Sequence, residues 1–220
     1  MSRNRRQEAP PEAGDQTGRQ RLIDAAMRLH REKRSLGALG IREIAREAHL
    51  NPNTFYRHFE SIDDLAVAAI GQCGDRIRPL LHQIRTLGAR VNPASITALE
   101  VSAYFAFVLA NADWFVVYVT EYHSGSRRVR EAIDALLREV ATEMCDDICA
   151  RFGVDGPGRE RFELACRQIT VHVFHLAQEY LEKPERREAL VEASECMIAW
   201  MLAGAARAID RQTQPALVTP

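Results

Sequence analysis

The chain has 220 residues, 46% of them hydrophobic, enough to bury a core in one small and one larger domain. Its formal net charge of -1 hides an uneven split: residues 1–58 hold twelve Lys/Arg against seven Asp/Glu, and the rest seventeen against twenty-three, so the basic half is the one suited to phosphate. Five cysteines within helical patterns (Cys73, Cys145, Cys149, Cys166, Cys196), an odd number, exclude a secreted disulfide framework; the polar, Arg-rich start lacks a leader's apolar run, and no window reaches the roughly 18 apolar residues of a membrane helix, which predicts a cytoplasmic protein with no membrane partner.

Residues 1–16, rich in Arg, Glu, Pro and Gly without apolar period, predict a disordered arm. Its Arg3, Arg5 and Arg6 suit a solvated tail, with a minor-groove contact as the alternative. Helical spacing then predicts segments over about 17–34, 41–48, 52–58 and 62–87. In the second, Ile41, Ile44, Ala45 and Ala48 form an apolar face and leave Arg42, Glu43, Arg46 and Glu47 outward. His49 and Leu50 interrupt the period. Asn51 then caps the third segment and Pro52 takes its first position. Phe55 and Phe59 mark an inward stripe, leaving Asn53, Thr54, Arg57 and His58 outward.

Gly88 to Pro93 breaks the pattern, and two apolar helices follow over 95–109 and 113–122. Val116, Val117, Val119 and Thr120 imitate a strand, but their neighbours favour helix. A helix over 127–152, a breaker over 153–158, helices over 159–182 and 185–211, and a disordered tail at 213–220 complete the chain. The expectation is an all-α fold of about nine helices, with a three-helix helix-turn-helix domain over 17–64 and a helical bundle over 65–212. The last two helices carry apolar stripes, Phe162, Ala165, Ile169, His172, Val173 and Leu176, then Leu190, Ala193, Met197, Trp200 and Met201. Such stripes at a chain end predict a two-fold, four-helix seam with a second copy.

A second helix lying by its N-terminal end in a major groove sets short amides and hydroxyls at base edges and aromatic or cationic groups at phosphates. Asn53 and Thr54 are therefore the base-reading candidates, and Tyr56, Arg57 and His58 the phosphate-contacting ones. Each is an ordinary solvated position taken singly; cap, turn and apolar frame together carry the assignment. A two-fold dimer places two such helices about 34 Å apart, so the double-stranded DNA partner should be a roughly palindromic operator.

The run 22–29 (LIDAAMRL), the Ile44-Ala45 pair, the ending Phe55-Tyr56-Arg57-His58-Phe59 and Asp63-Asp64-Leu65 resemble the DNA-binding domain of the TetR family of bacterial transcriptional regulators, over about residues 18–65. The resemblance implies DNA contacts at Arg42, Asn51, Pro52, Asn53, Thr54, Tyr56 and His58, and a ligand-binding, dimerising role for 65–212. Three positions depart from the family pattern. Gly40 replaces a capping Ser or Thr and supplies no hydroxyl. His49 replaces the turn glycine; at positive φ it carries some strain, although His is among the residues enriched there, and the turn should persist. Ile62 replaces a lysine, which removes a phosphate contact. Arg34-Ser35, the run 42–48, Pro52, and later Asn111 to Phe115, Glu121 to Gly125 and Arg130 to Ile133 are similar to FabR-type repressors of unsaturated fatty-acid synthesis. That similarity implies a long-chain acyl-CoA effector.

Aromatic and aliphatic side chains dominate 95–122 and 162–176, most of them as core. A pocket is expected at Tyr104, Phe105, Phe107, Trp114, Phe115, Tyr118, His172 and His175. Arg127, Arg128 and Arg130 stand where coenzyme A phosphates would seek cations, although an exposed basic turn is the commoner account of such a trio. A different apolar effector, as in regulators of drug efflux, is one alternative. A metal-sensing regulator is another, because His172, His175 and Glu179 share a helix face to which Glu121 and His123 could add; packed histidines are the commoner case. Cys145 and Cys149, one turn apart, suit buried small hydrophobes better than a redox pair. No cofactor is expected, and with no glycine-rich phosphate loop, no GxSxG and no persuasive acid pair, no enzyme is expected either.

Overall fold

The computed structural model describes residues 13–33, 35–87 and 93–213, and its regular elements there are all helical. The helices α1 (Ala13–Lys33), α2 (Ile41–Glu47) and α3 (Pro52–His58) form the head, and α4 (Ile62–Leu87) leads into the body. The body contains α5 (Pro93–Ala110), α6 (Ala112–Ser124), α7 (Arg127–Phe152), α8 (Gly156–Glu182) and α9 (Arg187–Thr213), with short 3-10 turns at Leu36–Ala38 and Pro184–Arg186. Helices α2, α3 and α4 fall where the apolar spacing placed them, and the β-branched run is helical.

Two boundaries move. Helix α1 starts at Ala13, inside the expected arm. Residues 1–12, 34, 88–92 and 214–220, which include Arg3, Arg5, Arg6, Arg34, most of the tail and the expected break, lie outside the described residues. The second breaker is shorter than expected. Gly153, at φ 63, ends α7 in a left-handed cap with its N–H on Cys149, and Gly156 at φ 50 turns the chain straight into α8 with Pro157 in the first turn.

One apolar core runs from head to body. Leu22, Ile23, Ile44, Phe55 and Leu65 are buried continuously with Phe115, Tyr118, Val129 and Ile133. A second cluster joins α5, α7, α8 and α9 around Phe105, Cys145, Cys166 and Ile198. Polar links fix α4 and the head on the body. Tyr118 Oη donates to the Ala69 carbonyl at 2.9 Å, and buried Glu121 accepts the Leu36 N–H at 2.8 Å with His30 Nε2 at 3.4 Å. Exposed pairs such as Arg128–Asp64 at 2.9 Å contribute little by themselves, whereas losing Glu121 would orphan a buried amide. At Gly74 a Cβ would meet Leu136 Cδ1 at 2.7 Å, so glycine lets α7 lie close against α4.

The expectation that no segment suits a membrane is corrected for one stretch. Pro184–Arg207 is long and apolar enough by length and composition, while Ser95–Ala110 and Ala112–His123, bent by 93°, qualify only as a pair. The first stretch scores as apolar because α9 turns Ala193, Cys196, Ala199, Trp200, Ala203 and Gly204 outward at helical spacing, with Trp200 75% exposed.

Candidate nucleic-acid interface and ligand cavity

The corner between α2 and α3 is held by short-range chemistry and by α1. His49 adopts φ 53, the left-handed conformation the missing glycine required. Arg21 Nη2 donates to the carbonyls of Ala48 and His49 at 2.5 and 3.1 Å, pinning that corner. Asn51 Oδ1 accepts the Asn53 N–H at 2.9 Å and Pro52 follows in the first turn. Gly40 caps α2 without a hydroxyl, its own N–H reaching Glu43 Oε2 at 3.5 Å, and Ile62 packs against the core.

Phe55 locks the inner face of α3, fully buried with Phe59 at 5.7 Å between ring centroids. The opposite face presents Asn51, Asn53, Tyr56 and Arg57 to solvent, with Arg42 exposed on α2. Pro52 and Thr54 are half-buried. Tyr56 leaves a large ring 64% exposed, an arrangement that water disfavours and a partner surface would relieve. His58 is corrected from its expected outward placement. It is half-buried beside Phe59, and a Cβ on Gly18 would lie 3.1 Å from its Nε2, so it seats the end of α3 in a notch of α1.

An apolar cavity of about 90 Å³ lies within the body. Along α4 its wall runs from Ile70 through Cys73, Ile77 and Leu81 to Arg85, about 22 Å of helix at 1.5 Å per residue. Leu136, Val140 and Met144 of α7 face them. Of the candidates, Tyr104, Phe115 and Tyr118 line the cavity. Phe105, Phe107, Trp114, His172 and His175 do not. Phe105 stacks on Tyr180 at 4.4 Å, Phe107 packs edge-on to Phe115, and Trp114 lies under Arg76. His172 is exposed, and His175 packs with Tyr122 and His123.

The lining is neutral over most of its length. Tyr104 Oη donates to the Val173 carbonyl at 3.3 Å, burial pushes both lining phenols, Tyr104 and Tyr118, upward, and burial pushes the Cys73 thiol up to about 11. Charge appears only at the far end, where Arg85 pairs with Glu100 and with Asp147 at 2.7 Å.

Residues 22–69 match the family described as bacterial regulatory proteins, tetR family. The matched stretch runs from α1 through α2 and α3 into the start of α4. Solved structures carry the likeness of fold across most of the chain. A TetR-family transcriptional regulator from Streptomyces coelicolor is 23% identical, with 87% of this chain and 83% of that one covered and a TM-score of 0.60. The fatty acid degradation regulator FadR from Bacillus halodurans is 16% identical, with 90% and 98% covered and a TM-score of 0.63. A TetR-family regulator from Bordetella parapertussis is 16% identical, with 84% and 93% covered and a TM-score of 0.59. Beyond residues 22–69 the likeness is one of fold.

The remaining candidates of the body are engaged elsewhere. Arg127 pairs with Glu131, Arg128 with Asp64 at the start of α4, and Arg130 with the Gly125 carbonyl, so the three do not converge into a phosphate cradle. Glu179 is taken by Lys183 and Arg186, Glu121 by Leu36, and among the described residues no group of three or more His, Cys, Asp or Glu is arranged to hold a metal. Burial, then His123 and His172, hold the His175 imidazole below its usual range. Cys145 and Cys149 are buried 3.7 Å apart, and burial with the neighbouring thiol pushes Cys145 up to about 11, the behaviour of inert small hydrophobes. The α4 and α7 walls were absent from the sequence-based list because a cavity wall and a core stripe share one apolar period.

Proposed function

We propose that this regulator is a homodimeric, cytoplasmic repressor of lipid-metabolism genes that binds a palindromic operator through paired α3 helices. A long-chain acyl ligand, acyl-CoA in particular, sets its operator affinity from the cavity along α4. The observation that carries the DNA half is the exposed face of Asn51, Asn53, Tyr56 and Arg57 on a helix whose other face Phe55 locks. Asn53 reads a base edge; Tyr56 and Arg57 meet phosphates. The outward small-residue face of α9 around Trp200, with exposed Leu164 on α8, is the seam with the second copy.

A cavity of about 90 Å³ is well below the roughly 300–1,000 Å³ of sites that enclose a ligand. An acyl chain therefore enters only as α4 and α7 separate, and so binds the wider state better. That preference is the differential affinity a ligand-driven switch requires. Because α4 is tied to the head through Gln72–Gln20 at 2.9 Å and through Leu65 in the head core, and to the body through Ala69–Tyr118 and Asp64–Arg128, widening re-aims the two heads. The length and apolarity of the wall support a chain-shaped ligand. The name of the Bacillus halodurans neighbour, a fatty acid degradation regulator, agrees with it.

Asn53→Ala should weaken binding to an operator selected from genomic fragments by about 1–3 kcal/mol while thermal stability and affinity for unrelated duplex stay unchanged. Unaltered operator affinity contradicts base reading by α3. Titrating the operator complex with acyl-CoAs should shift affinity in a chain-length-dependent way. A flat response across chain lengths removes that effector class.

A further inference from the structure

Arg85 and Glu100 belong to two pockets at once. They close the far end of the apolar cavity, and they also line a second pocket of about 70 Å³ on its other side, with Asp147, Ile148, Phe152 and Leu202. Exposed Phe152 marks the solvent mouth of that outer pocket. The Arg85–Glu100–Asp147 cluster is thus a partition between an apolar chamber and the way out.

Charge on the partition does not balance. Arg85 gives Nη1 to Glu100 and Nε to Asp147, one guanidinium between two carboxylates. His82 Nδ1 lies 3.0 Å from Asp147, but its side chain is 55% exposed. Arg151, at the outer rim, holds its guanidinium over the Phe152 ring. His82 sits toward solvent, where its field is screened, and Arg151 lines the outer pocket but not the apolar chamber, whereas Arg85 and Glu100 face both. Burial, with a smaller push from Asp147, keeps the Glu100 carboxyl above its usual range even beside Arg85.

Resting on the acyl-ligand assignment of the cavity, we propose that this partition selects the ligand's head group, admitting the neutral carbonyl of an ester or thioester at Arg85 and refusing a free carboxylate. A guanidinium has five N–H donors, and the bonds from Nη1 and Nε leave others to meet a carbonyl oxygen. A neutral carbonyl takes them without adding charge. A carboxylate would be a third anion on one cation in a poorly screened site. Arg85 is the anchor; Glu100 and Asp147 are the discriminating residues.

Dodecanoate and methyl dodecanoate differ only in that head and can be compared by calorimetric titration of the full chain at pH 8, above the ordinary imidazole range. The ester should bind at least ~10-fold more tightly than the acid. Glu100→Gln keeps the shape and one acceptor for Arg85 but removes the excess charge, so acid affinity should rise toward that of the ester while ester affinity stays. Asp147→Asn removes the same charge from the α7 side and should act in the same direction. Equal binding of acid and ester by the unmodified protein, or discrimination that survives both substitutions, overturns the partition while the cavity assignment stands. Binding of neither compound overturns the cavity assignment itself, and the proposal with it.

Discussion

Trp200→Arg should yield a folded monomer that no longer holds its operator. Trp200 stands 75% exposed on α9 among Cys196, Ala199, Ala203 and Gly204, whose small side chains leave a shallow apolar face. A tryptophan buries 150–250 Å² when covered, so a second copy has most to gain here. In a two-fold seam each substitution appears twice, and Arg places two like charges into it. Losing the dimer separates two linked half-site contacts, and the linkage is worth roughly 10²–10⁴ in affinity. Light scattering on a sizing column reads the mass, circular dichroism the retained helices, and fluorescence anisotropy the operator. A variant that stays dimeric with full operator affinity contradicts the α9 seam.

Phe55→Ala and Tyr56→Ala should have opposite consequences although the residues are adjacent. Phe55 is fully buried against Phe59 and the head core, and truncating such a ring costs about 3–5 kcal/mol. That is a large share of a typical domain's 5–15 kcal/mol, so the head should melt far below the unmodified protein and DNA binding should vanish with it. Tyr56 is 64% exposed and touches Phe55 only edge-on, so its removal should change stability by no more than about 0.5 kcal/mol yet weaken the operator complex. Thermal unfolding alongside anisotropy separates the two. A stable Phe55→Ala head, or a Tyr56→Ala protein with full operator affinity, contradicts the two-faced account of α3.

The head was legible in the sequence because its determinants are local. Asn51, Pro52 and the Phe55/Phe59 stripe act within one turn of each other, and even the positive φ of His49 follows from which residue stands at the corner. His58 was misplaced because what receives it is an absent side chain, Gly18, forty residues earlier. In the body the helices were legible and the cavity was not. Tyr104 and Phe105 are neighbours in one apolar run, yet one lines the cavity and the other stacks on Tyr180, a distinction made only by the packing of α8. The partition joins Arg85, Glu100 and Asp147 from three helices, and no spacing rule connects them. The stripes assigned to a dimer seam divided as well. Phe162, Ala165, Ile169 and Val173 are spent inside the protomer, while the outward face is built from small residues that apolar patterning underweights.

The most direct measurement is the affinity of the purified protein, followed by anisotropy through a series of salt concentrations, for an operator selected from genomic fragments and for the same bases in shuffled order. Paired α3 helices reading base edges predict that the operator binds at least ~10³-fold more tightly at a fixed salt concentration. Equal affinity for both duplexes, lost together as salt rises, is phosphate attraction without base reading and would contradict the assignment of α3.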